Sequence, residues 1–88
     1  MELEDLRKQI DELDELLLEV MSKRLSLMPR VAEIKRCRGI DIDQQDRERQ
    51  LVENIRRKAK QKGLDPDFIE RIITEIIKES KSIQKKNM

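Results

Sequence analysis

The chain has 88 residues, with 20 lysines and arginines against 19 aspartates and glutamates, a net charge of +1, 44% charged residues and 1% aromatic residues. That length holds one domain, residues 1–88, with a modest core, and interspersed charges exclude the one-sided basic excess and stacking aromatics of a nucleic-acid surface. One cysteine, Cys37, excludes an intramolecular disulfide and reads as a reduced spectator, while the lack of histidine removes the usual metal ligand and the commonest general base.

The first predicted helix runs from about Leu3 to Cys37. Leu3, Leu6, Ile10, Leu13, Leu17, Val20, Leu27, Val31 and Ile34 recur in steps of three and four, the period of one buried helical face. Such periodicity argues against disorder despite the charge content. Pro29 removes a backbone donor inside that helix, yet the seam keeps its phase across it, which predicts a kink rather than a break. Gly39 supplies the left-handed stop. Asp41 or Asp43 is expected to cap the second helix, which ends at Gly63. Asp65-Pro66-Asp67 then gives an N-cap, a first-turn proline and a first-turn acid to a third helix reaching about Lys85. The start Met-Glu-Leu-Glu-Asp is acidic, and no apolar run approaches the roughly 20 residues of a membrane span or the core of a signal peptide. The expectation is a cytoplasmic protein with no membrane partner.

The step of the first seam between Val20 and Leu27 falls on Arg24. A cation in an apolar stripe needs an acidic neighbour or a pocket that holds an anion. Polar residues intrude elsewhere too: Gln44 and Glu48 share a stripe with Leu51 and Ile55, while Ser80 and Gln84 fall on the face of Ile73, Ile76 and Ile77. Any one of these reads as a core fading into solvent, but together they point to a polar site. Arg24 and Lys35 lie within about 20° of the same helical face and roughly 16 Å apart along the axis, so two long side chains can converge on a small anion. Arg7 sits about 25 Å from Arg24 and about 100° round the helix. If Arg7 serves such a site, the site contains residues of another chain.

Length bears on assembly. A helix of about 35 residues spans roughly 52 Å, whereas a compact globule of this size has a radius of gyration near 12 Å. The first helix must protrude, and its continuous stripe calls for a second chain. The fold class is therefore all-α, with one long and two medium helices per chain in an intertwined helical homodimer.

These residues together, Leu6-Arg7, Ile10-Asp11-Glu12-Leu13-Asp14, Arg24, Lys35, Asp46-Arg47-Glu48 and Ser80 to Gln84, resemble the all-helical chorismate mutases of the shikimate pathway. The resemblance covers nearly the whole chain. It implies a cofactor-free, metal-free isomerase that rearranges chorismate to prephenate on the way to phenylalanine and tyrosine. It also implies a homodimer with two sites, each lined by Arg24, Lys35, Gln44, Arg47, Glu48, Ser80 and Gln84, with Arg7 supplied by the other subunit. Gln44 departs from the aspartate often found there, and a backbone contact would preserve its part.

An intramolecular Claisen rearrangement needs no nucleophile, so the absence of histidine is no objection. It needs the substrate folded and the charge growing on the ether oxygen stabilised. Under the resemblance Arg7, Arg24 and Arg47 bind carboxylates, which suit a planar guanidinium, with Ser80 assisting. Lys35 and Gln84 donate to the ether oxygen, and Glu48 accepts from the ring hydroxyl. Read singly, Arg7 and Arg47 are also ordinary solvated arginines, and Lys35 an ordinary paired lysine. Two alternatives remain: an isochorismate pyruvate lyase of the same fold, disfavoured by Glu48, and a non-catalytic helical dimerisation module in which Arg24 sets register.

Overall fold

A computed structural model describes residues 2–87. The first helical stretch is two segments, α1 (Leu3–Ser26) and α2 (Met28–Arg38), followed by α3 (Gln45–Gln61) and α4 (Pro66–Lys86). Glu2 opens α1, its backbone N–H donating to Asp5 Oδ2 at 3.3 Å. Leu27 joins α1 to α2 with right-handed helical torsions, φ −80° and ψ −16°, and its carbonyl accepts from the Val31 N–H at 3.0 Å. The chain therefore bends without unwinding. Pro29, one residue inside the start of α2, has no N–H to continue the ladder back into α1. Three helices result, the first of them kinked as its seam predicts, and no strand is present among the described residues.

Two glycines make the stops. Gly39 adopts φ 66° after α2, and Ile40 N–H reaches back to the Lys35 carbonyl at 2.8 Å; Gly63 adopts φ 74° after α3, and Leu64 N–H reaches the Ala59 carbonyl at 2.9 Å. Both bonds are the long reverse contacts of a left-handed helix stop, in which a side chain would strain the backbone. Asp65 caps α4 by accepting from the Asp67 N–H at 3.0 Å. The expected aspartate cap of α3 is not made. Gln44 occupies that position without a side-chain bond, because the Asp43 carboxylate lies 3.0 Å from Lys81 Nζ on α4. A charged partner outbids a cap exposed to water.

Helix α4 packs against α3 and α2. The pairs Arg56 with Glu70 and Lys81 with Glu48, at 2.9 and 2.8 Å, show that α3 and α4 run antiparallel. Small side chains let the helices approach: Ala32 and Ala59 are the buried apolar residues, at 0% and 4% exposure. No large hydrophobe among the described residues is fully buried, and the α1 seam lies open, with Leu3, Ile10, Leu13 and Leu17 all more than half exposed. The radius of gyration is 16.3 Å and the longest dimension 55 Å, against about 12 Å expected for a compact chain of this length. Among the described residues no helix is long and apolar enough to cross a membrane.

Candidate active site

The most enclosed polar residues are Ser80 and Gln84, each 5% exposed and one turn apart on α4. They face the end of α1 and the middle of α2. Buried polar groups need partners, and here the partners are cations. Arg24 Nη1 donates to Ser80 Oγ at 2.7 Å, and Ser80 Oγ donates in turn to the Ile76 carbonyl at 2.8 Å. Lys35 Nζ donates to Gln84 Oε1 at 2.9 Å and to the Ile42 carbonyl at 3.1 Å. Arg24 has no acidic partner among the contacts of the described residues; it donates to Ser80 and lines a cavity.

The amide of Gln84 has only one workable orientation. An ammonium has protons and no acceptor, so the carbonyl oxygen must face Lys35. The NH₂ group is left against Met28 Sδ at 3.4 Å, a weak acceptor that leaves it able to donate elsewhere. Burial lowers the Lys35 pKa from the ordinary 10.5, opposed by the attraction of Glu48 and then Asp43.

A cavity of about 240 Å³ opens beside these pairs, lined by Arg24, Lys35, Gln44, Arg47, Glu48, Ser80 and Gln84. Every residue expected at the site is there except Arg7. Arg7 lies on exposed α1, donating to Glu4 Oε1 at 2.8 Å, away from the cavity of its own chain. In that lining Arg47 is exposed and Glu48 half-buried. The apolar lining comes from Met28, Val31, Ile42, Leu51 and Ile77.

Lys81 also lines the cavity, a place that nothing in its local pattern foretells. A lysine between two serines near a helix end reads as solvated. Its partners lie 33 and 38 positions earlier: Glu48 Oε1 at 2.8 Å and Asp43 Oδ1 at 3.0 Å. Close pairing with these two acids, Glu48 first, raises the Lys81 pKa from the ordinary 10.5. The same lysine pulls the Asp43 pKa down. No group of three or more metal-ligating side chains occurs among the described residues. The arrangement is thus a small, mostly cationic pocket with one ionisable acceptor at its edge, suited to a small anion that also carries a hydroxyl.

A family model described as chorismate mutase type II matches residues 6–85. The chorismate mutase of Methanocaldococcus jannaschii is 36% identical over 83 residues, covering 94% of this chain and 84% of that protein. The T-protein of Enterobacter agglomerans is 38% identical over 79 residues, covering 90% of this chain and 21% of that protein. The bifunctional chorismate mutase/prephenate dehydratase of Aquifex aeolicus is 38% identical over 88 residues, covering 97% of this chain and 24% of that protein. The chain thus spans under a quarter of the length of these two larger relatives.

Proposed function

The chain belongs to the type II chorismate mutase family, and from that premise we propose that it rearranges chorismate to prephenate in the cavity between α1, α2, α3 and α4. The observation that carries the assignment of roles is the pairing of Lys35 with buried Gln84 beside Arg24 with buried Ser80. Two cations are already held in place, each by a polar side chain that the bundle encloses. Little reorganisation is then needed when substrate arrives.

Arg24 grips one carboxylate of the substrate in its planar fork, with Ser80 aligning it, and Arg47 neutralises charge at the mouth. Lys35 and the NH₂ of Gln84, held only weakly by Met28 Sδ, donate to the ether oxygen. As the carbon–oxygen bond breaks and the pyruvyl methylene bonds to the ring, negative charge grows on that oxygen, and two donors fixed in advance stabilise it. Glu48 accepts from the ring hydroxyl, and Gln44 offers its backbone nearby. No atom enters or leaves, so the reaction needs orientation and electrostatics alone.

We further propose that the working form is a homodimer. Support comes from the exposed α1 seam and from an apolar groove of about 510 Å³ along α1 and α4, lined by Met21, Leu25, Phe68, Ile72 and Ile76. A second copy lying along α1 covers apolar surface that this chain leaves in water and brings its own Arg7 to the cavity mouth. Incubation with chorismate, with chromatographic identification of the product, tests the activity: prephenate is the expected product. Pyruvate released from isochorismate without any prephenate formation would replace the mutase with a lyase, and inertness towards both would leave a dimerisation module.

A further inference from the structure

Behind Glu48 stand two charged side chains that this chemistry does not use, Lys81 and Asp43. Lys81 Nζ stands between the two carboxylates at 3.0 and 2.8 Å, and about a quarter of each of the Lys81 and Glu48 side chains is exposed. Lys35 is near enough to feel Glu48, but its directed bonds go to Gln84 and the Ile42 carbonyl. Lys81 is therefore the direct counter-ion of Glu48.

A half-buried carboxylate without a counter-ion attracts cations, and one already paired does not. We propose that Lys81 is a positioning residue that acts through Glu48 to set specificity, so that the ring position facing Glu48 takes a neutral hydroxyl and rejects an ammonium. The proposal rests on the reading of this cavity as a chorismate site with Glu48 at the ring hydroxyl. A hydroxyl donates to a carboxylate whether or not a lysine stands behind it. An amine at the same ring position is ionised at neutral pH, as amines with pKa values above about 7.7 are, and meets the Lys81 ammonium as a like charge. Selectivity then comes from an element that repels the wrong substrate.

The probe is the chorismate analogue with an amine in place of the ring hydroxyl, used as a competitor of chorismate rearrangement. Its Ki and the KM for chorismate are measured for the original protein and for Lys81→Met, Lys81→Gln and Lys81→Arg, with helical content checked by circular dichroism. The two constants should move in opposite directions in the neutral variants. Loss of a cation weakens binding of a dianion, so KM rises, while the Ki of the amine falls by about tenfold or more as the like charge is removed. Lys81→Arg should keep both within about threefold, because it keeps the charge. A merely structural lysine would weaken both ligands together, and parallel changes or an unchanged Ki in both neutral variants would overturn the proposal. Inertness of the original protein towards chorismate would instead remove the reading beneath it, and the proposal with it.

Discussion

Replacing Gln84 by glutamate separates a hydrogen-bond donor from a side chain that merely fills space. The NH₂ group is lost and a carboxylate takes its place beside Lys35, which now lies 2.9 Å from the amide oxygen. Gln84→Glu should fold, since a lysine partner waits for it, yet rearrange chorismate about a hundredfold to a thousandfold more slowly at neutral pH. Acidification should restore part of the rate as the new carboxyl gains a proton to donate, while the original protein stays flat over the same range. Equal rates near neutral pH would remove Gln84 from the ether oxygen. Lys35 predicts the opposite limb. Its lowered pKa means that it sheds its proton at a lower pH than an exposed lysine, so kcat/KM should fall as pH rises through that lowered value, with helicity retained. Loss of helicity in step with activity would assign the limb to unfolding. At this scale Arg24, Ser80 and Gln84 were legible because each stands where periodicity calls for a hydrophobe, whereas Arg7, Lys35 and Arg47 broke no stripe and owed their roles to the family resemblance. Lys81 broke nothing, since its neighbours on the chain are serines, and its role depends on acids on and before α3.

Helix ends were the clearest elements to read, for stops and caps depend on chemistry within a few residues. Gly39, Gly63 and Asp65 do what their local sequence requires. Asp43 shows the limit, because its carboxylate had a choice between a neighbouring N–H and a distant ammonium, and only the folded bundle brings the ammonium close. The bend at Leu27 was foreseeable from Pro29, as the proline removes one bond of the ladder while the seam stays in phase. Gly39→Ala tests the stop itself. No atom lies within 4 Å of a Cβ built there, so the cost is the left-handed backbone alone, about 1–2 kcal/mol of stability by chemical denaturation. Lys35, whose carbonyl closes that stop, should keep its place on α2, and activity at temperatures well below unfolding should be nearly unchanged. A large loss of activity without loss of stability would mean that the stop also sets the loop carrying Ile42.

Among the described residues Ser80 and Gln84 are enclosed while the large hydrophobes of α1 lie open, which is not the pattern of a self-sufficient globule. Light scattering at micromolar concentration should report a dimer, and a compact active monomer would refute the assembly. Arg7→Ala and Arg24→Ala should each be nearly inactive alone. Mixed and allowed to exchange subunits, they should regain activity, because both losses fall in one pocket of the heterodimer and the other pocket is whole. Failure to regain it would confine the site to one chain. Helix lengths and the seam, interrupted only at Arg24, pointed in advance to an elongated chain with an open α1, whereas the groove of Met21, Leu25 and Phe68 depends on how α4 lies and was not legible. The open arm of α1 also bears on time. If the proposed second copy covers the apolar face of α1, that cover is found by collision, so regain of activity after dilution from denaturant should follow second-order kinetics, its half-time lengthening in inverse proportion as the chain is made scarcer. A cell making little of this protein would then wait longest for each active molecule, and newly made chains would be exposed to proteases for most of that wait.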